Sequence, residues 1–221
     1  MKCFKKMTNK KTQKIPVRKI VLAICGASGS IYGIRLTKAL VQHPVELYMV
    51  ISNAGKKVMA HETNYSGAPF TTFLKNQGFL FHQQAELREF DKDDLFAPPA
   101  SGSFQHQGMV IAPCSMNTLG AIASGIADDL IRRAADVTLK ERRPLILLIR
   151  ESPLNTIHLE NMRKLNDAGA IIMPACPGFY HHPRSINDLV DSMVARILDH
   201  LQFGHDLVTP WGEEGNLPIH V

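Results

Sequence analysis

The patterned part of the chain opens on an unbroken apolar run, KIVLAIC at 19–25. Its β-branched content and lack of alternation predict a strand covered on both faces, as in a parallel sheet. A glycine-rich turn follows, Gly26-Ala27-Ser28-Gly29-Ser30, and beyond it Ile31, Ile34, Leu36, Leu40 and Val41 recur at helical spacing until His43-Pro44 ends the segment. The runs VELYMVI at 45–51, MVIAP at 109–113, LILLIR at 145–150 and AIIMP at 170–174 repeat the strand pattern. Helical spacing is found between and after them at 54–61, 117–124, 129–140, 154–168 and 185–201. Residues 64–107 show no regular period, and Pro69, Pro98 and Pro99 mark loops there.

Strands alternating with helices predict one α/β domain, a doubly wound parallel sheet in a Rossmann-like three-layer sandwich, with its ligand beyond the carboxyl ends of the strands. A chain of 221 residues that is 45% hydrophobic suits one such domain, spanning 19–204. The net charge of +5 suggests nucleic acid until its location is considered. The first nineteen residues carry Lys2, Lys5, Lys6, Lys10, Lys11, Lys14, Arg18 and Lys19 and no acid; the remaining 17 basic residues face 20 acidic ones, a body of about −3. The basicity belongs to a tail, 1–18, read as a solvated extension, and no nucleic-acid partner is expected. No run of about 18 apolar residues is present, so no membrane span is expected. The four cysteines, Cys3, Cys25, Cys114 and Cys176, form no CxxC pair, and the histidines show no HxH or HxxxH spacing. The expectation is a cytoplasmic protein without disulfides or a metal site.

The chemistry begins at the turn after the first strand. Glycines and a serine between a buried strand and a helix free backbone N–H groups at the positive end of the helix dipole, where an anion can bind. The spacing Gly26-x-x-Gly29-x-x-x-Gly33 matches neither the GxGxxG dinucleotide pattern nor the GxxxxGK[ST] phosphate loop. Dinucleotide folds place an acid after the second strand, and this chain has Ser52-Asn53 there, which points to a mononucleotide such as FMN. Arg132, Arg133, Lys140, Arg142 and Arg143 fall within twelve positions, with Arg133 and Lys140 on one helix face. Arg150-Glu151 ends a wholly apolar strand at the ligand edge. Together they suggest a second anion site, for a phosphorylated substrate.

The segments GASGSIYGIRL, APPASGS at 97–103, APCSMNTL, LIRRAADVTLKERRPLILLIRESP, IHLENM and PGFYHHP together resemble the UbiX-type flavin prenyltransferases, from Lys19 to Trp211-Gly212-Glu213. The resemblance implies a flavodoxin-like fold, commonly in a dodecamer, that binds reduced FMN and a dimethylallyl phosphate. It implies bonds from the five-carbon unit to flavin N5 and C6, and prenylated FMN as product for a UbiD-type decarboxylase, commonly in ubiquinone synthesis. By position, Gly26, Ala27, Ser28, Gly29, Ser52, Ser115, Thr118 and Arg133 would bind the flavin, with Ser28 near its reactive edge. Lys140, Arg150, Glu151, Tyr180 and Arg196 would grip the prenyl phosphate, and Glu62 would move protons. Trp211 is a candidate π-face for the allyl unit or a subunit-packing residue, and 205–221 would pack at the active site or a neighbouring subunit. Glu151 has two readings, an ion-pair partner for the arginines or a proton donor to the departing phosphate. Met116-Asn117 puts larger side chains beside the flavin than the family pattern suggests. The rival readings are an FMN-dependent cysteine decarboxylase and a non-catalytic flavin-binding subunit.

Overall fold

In the computed structural model, residues 16–209 and Gly212 are described. Six parallel strands lie in the order β3-β2-β1-β4-β5-β6. They are β1 (Arg18–Ile24), β2 (Val45–Ile51), β3 (Glu86–Phe90), β4 (Met109–Cys114), β5 (Leu145–Ile149) and β6 (Ile171–Pro174). The helices are α1 (Ser30–Leu40), α2 (Asn53–Glu62), α3 (Phe70–Asn76), α4 (Met116–Ala123), α5 (Leu130–Lys140), α6 (Thr156–Asp167) and α7 (Ile186–His200). All five expected strands are present, in the doubly wound α/β architecture.

The sixth strand, β3, falls inside the stretch that showed no period. It is the sheet edge, paired only to β2, and its sequence ELREF carries charge where central strands carry apolar side chains. Arg88 bonds Glu86 at 2.8 Å and lies 3.9 Å from Glu46 on β2, so the edge is closed by charges instead of core residues.

The continuous apolar runs of the central strands follow from helices on both sheet faces. Ile20, Leu22, Ile24, Met49, Val110 and Leu148 pack with α1, α3 and α7 in one core. Val21, Ala23, Cys25, Ile111, Leu147 and Ile149 pack with α4, α5 and Leu165 of α6 in the other. Each fully buried side chain of this size contributes about 1.5–3 kcal/mol, which fixes the sheet and leaves the loops at its carboxyl edge to carry function. Helices α5 and α7 therefore lie on opposite faces of the sheet. The connection order reverses between β1 and β4, the point where such sheets open a crevice.

Candidate functional site

Three helices begin around that crevice. Ser52 caps α2, its hydroxyl accepting from Gly55 N–H at 2.9 Å, and Ser115 caps α4, accepting from Thr118 N–H at 3.3 Å. Asp129 caps α5 through Arg132 N–H at 2.9 Å. Caps satisfy one or two of the free N–H groups of each first turn, and the others remain directed outward. A cavity of about 460 Å³ lies among them, lined by Gly26, Ser52, Ser115, Asn117, Thr118 and Arg132 and also by Lys92, Asp93, Asp128 and Asp129. That volume is within the ~300–1,000 Å³ typical of small-molecule sites. Gly26 is required here because a Cβ would sit 2.4 Å from Cβ of Ala54 on α2.

The lining suits a hydroxylated chain ending in a phosphate: hydroxyls of Ser52, Ser115 and Thr118, open helix N-termini, and one arginine. That arginine is Arg132. Its Nη1 donates to Asp128 (2.6 Å) and its Nη2 to Asn117 Oδ1 (2.8 Å), while its Nε is buried with no hydrogen-bond partner among the described residues. Arg133 does not line the cavity; it donates to the Ala100 carbonyl at 3.1 Å and to Asp136 at 2.8 Å. Successive helix residues point about 100° apart, so only one of the Arg132-Arg133 pair can face the crevice. The resemblance points to Arg133 as the flavin-site arginine, and in this chain the arginine that lines the cavity is its neighbour Arg132. Closeness to the N-terminus of α5 was the signal for Arg132.

The glycine-rich turn holds an anion, but an internal one. The Glu62 carboxylate, at the end of α2, accepts from Gly29 N–H (3.0 and 3.1 Å), from Ser30 N–H (2.9 Å) and from Ser30 Oγ (2.7 Å). Gly29 sits at φ 103, the left-handed region that turns these N–H groups toward one point. The head of α1 is thus occupied by Glu62, and the N-termini of α2 and α4 open on the cavity. Burial pushes the Glu62 carboxyl up, but hydrogen bonds from Ser28, Ser30 and Gly29 outweigh it and hold its pKa below the ordinary value. This bonding stabilises the fold fully above the usual glutamate pKa of about 4.3, and the contribution is lost as pH falls through the lower folded value. Replacing Glu62 by Gln should therefore lower the thermal midpoint at neutral pH, and the gap from the parent should close on acidification through that range, as read by melts at stepped pH.

The remaining candidates are dispersed. Arg150 follows β5 at the carboxyl edge and donates from Nε to the Ser28 carbonyl at 3.1 Å. Glu151 beside it is exposed, accepts from Ser152 N–H at 3.1 Å and forms no ion pair among the described residues. Lys140 ends α5 at the opposite edge of the sheet, about 15 Å along the helix from the cavity by helical rise, where it pairs with Glu141 at 2.5 Å. Arg196 is exposed on α7 and pairs with Asp199 at 2.8 Å. Tyr180 is exposed in the loop after β6, and Trp211 lies outside the described residues. One chain brings Ser28, Glu62 and Arg150 together and keeps Lys140 and Arg196 apart, on opposite faces.

Two other groups bear on the chemistry. Cys25 lies under the cavity, bonded by Thr118 Oγ1 at 3.4 Å, and burial pushes its thiol up to about 11; the Cys114 thiol is pushed up for the same reason. Neither is poised as a thiolate nucleophile. Among the described residues no three His, Cys, Asp or Glu side chains are placed to hold a metal, and no helix is long and apolar enough to cross a membrane.

Residues 8–198 match the flavoprotein family. The chain is 50% identical to the flavin prenyltransferase UbiX of Pseudomonas aeruginosa over 200 residues, 89% of this chain and 95% of that one. Among solved structures it is similar to AnUbiX (PadA1) in complex with FMN and dimethylallyl pyrophosphate, with TM-score 0.81 and 40% identity over 90% of this chain and 99% of that one. It is also similar to a dodecameric FMN-dependent Ubix-like decarboxylase from Escherichia coli O157:H7, with TM-score 0.76 and 40% identity over 85% and 96% of the two chains.

Proposed function

The chain belongs to the flavoprotein family and, within it, to the UbiX-type flavin prenyltransferases, and on that footing we propose how its own residues transfer a dimethylallyl group from dimethylallyl phosphate to N5 and C6 of FMN. It is a prenyltransferase, and FMN in reduced form is the acceptor. The observation that carries the reading is the crevice between β1 and β4, where a hydroxyl-lined cavity suited to a mononucleotide is walled by Gly26, the first residue of the turn that carries Ser28, and that turn is bonded by Glu62 and Arg150.

Reduced flavin supplies the nucleophilic positions when bound. Ser52, Ser115, Thr118 and Arg132 hold its polar chain, and Gly26 lets it approach the backbone. Ser28 stands between the carboxylate of Glu62 and the guanidinium of Arg150. Breaking the carbon–oxygen bond of an allylic phosphate needs fixed positive charge around the leaving oxygens. Arg150 supplies it from within the chain, and Lys140 and Arg196 supply it from other copies, because their faces cannot meet in one copy. The E. coli relative is a dodecamer, and an assembly of that kind brings different faces of a chain into one site. Glu151, which forms no ion pair among the described residues, delivers a proton to the departing phosphate. Tyr180 offers its ring to the positive charge that develops on the allyl carbon.

The product passes to a UbiD-type decarboxylase, and the setting is the cytoplasm, where the free thiols of Cys25, Cys114 and Cys176 stay reduced. Incubation with reduced FMN and a dimethylallyl phosphate, read by the mass of the flavin, tests the proposal.

A further inference from the structure

The Ser28–Gly29 peptide is held at both ends by opposite charges. Its carbonyl accepts from Arg150 Nε at 3.1 Å, and its N–H donates to the Glu62 carboxylate at 3.0 and 3.1 Å. A carboxylate, a peptide dipole and a guanidinium thus lie in series, each polarising the next. The peptide has a reason to need this: Gly29 is at φ 103, and its orientation decides where the Ser28 side chain points. Ser28 is itself exposed, so nothing in the apolar core holds it. The two terminal nitrogens of Arg150 make no hydrogen bond among the described residues, so the guanidinium keeps its fork free while Nε holds the loop.

We propose that Arg150, besides gripping the prenyl phosphate, is a positioning residue that sets Ser28 against the flavin through the Ser28–Gly29 peptide. This deepens the prenyltransferase reading and rests on it. One side chain then bridges the two halves of the reaction. Its outer nitrogens meet the donor phosphate, and its inner nitrogen fixes the residue beside the acceptor. A lysine cannot do both, because an ammonium is a single point charge without a planar fork.

The test uses Arg150→Lys, Ser28→Ala and the double variant of the full-length protein, each checked for a parent-like thermal midpoint. Binding of oxidised FMN is followed by fluorescence titration, and the bound flavin by visible circular dichroism, with no prenyl donor present. Arg150→Lys should weaken FMN binding about tenfold, the worth of about one hydrogen bond to a charged group, and should change the dichroism of the bound flavin. In the double variant the two effects should be non-additive, since both act through Ser28. Unchanged FMN affinity and dichroism in Arg150→Lys, or effects that simply add, would overturn the inference. Failure of the prenyltransferase reading is a separate outcome, unmodified flavin from the parent protein, on which these binding measurements do not depend.

Discussion

Replacing Glu151 by Gln should lower the rate of flavin prenylation by about 10²–10⁴-fold, the usual range for loss of a general acid or base, while leaving FMN binding and the thermal midpoint near parent values. Glutamine has the same length and can still accept from Ser152 N–H, the one hydrogen bond Glu151 makes among the described residues. What it cannot do is release a proton. Among the described residues of one chain Glu151 pairs with no cation, so the substitution breaks no ion pair within the chain. The variant should therefore lose turnover without loosening the fold. Single-turnover formation of prenylated flavin, with differential scanning calorimetry on the same sample, separates the two. A parent-like rate would remove Glu151 from the chemistry.

The second large effect concerns where the cations come from. Lys140→Ala and Arg196→Ala should each lower activity by about 10²–10³-fold, as expected on removing a charged group from the stabilisation of a leaving phosphate. Helices α5 and α7 lie on opposite faces of the sheet, with separate cores between them. If each site takes Lys140 from one copy and Arg196 from another, hetero-oligomers of the two inactive variants contain sites with both residues intact. Random mixing gives about one such site in four. Co-expressed Lys140→Ala and Arg196→Ala chains should then recover activity far above either alone. Recovery no greater than the sum of the two would mean that a site draws both cations from the same copy, or that one of them is not used.

The legible parts of the fold were those written as long apolar runs. KIVLAIC, MVIAP and LILLIR are buried on both faces and could be little else, so the parallel sheet and its helices follow directly. β3 was not legible because an edge strand has one partner and keeps charged residues, leaving no hydrophobic period to find. In the site, the sequence marks the glycine-rich turn as a place for a ligand phosphate, and in the structure the group bound there is the Glu62 carboxylate. Which anion was not visible, since Glu62 is 32 residues from Ser30 and reaches it only through tertiary structure. The Arg132-Arg133 doublet was seen as basic, but helix phase relative to the crevice depends on where α5 starts, and a one-residue difference exchanges the two side chains. The turn keeps its importance with a changed content: its backbone is held by Glu62 and Arg150 on either side of the Ser28–Gly29 peptide.

The central claim, that this chain prenylates FMN, is tested most directly by the mass of the flavin after anaerobic incubation of the parent protein with reduced FMN and dimethylallyl monophosphate or diphosphate. The account predicts a flavin heavier by one five-carbon unit with at least one of the two donors. Unmodified flavin with both donors would contradict it.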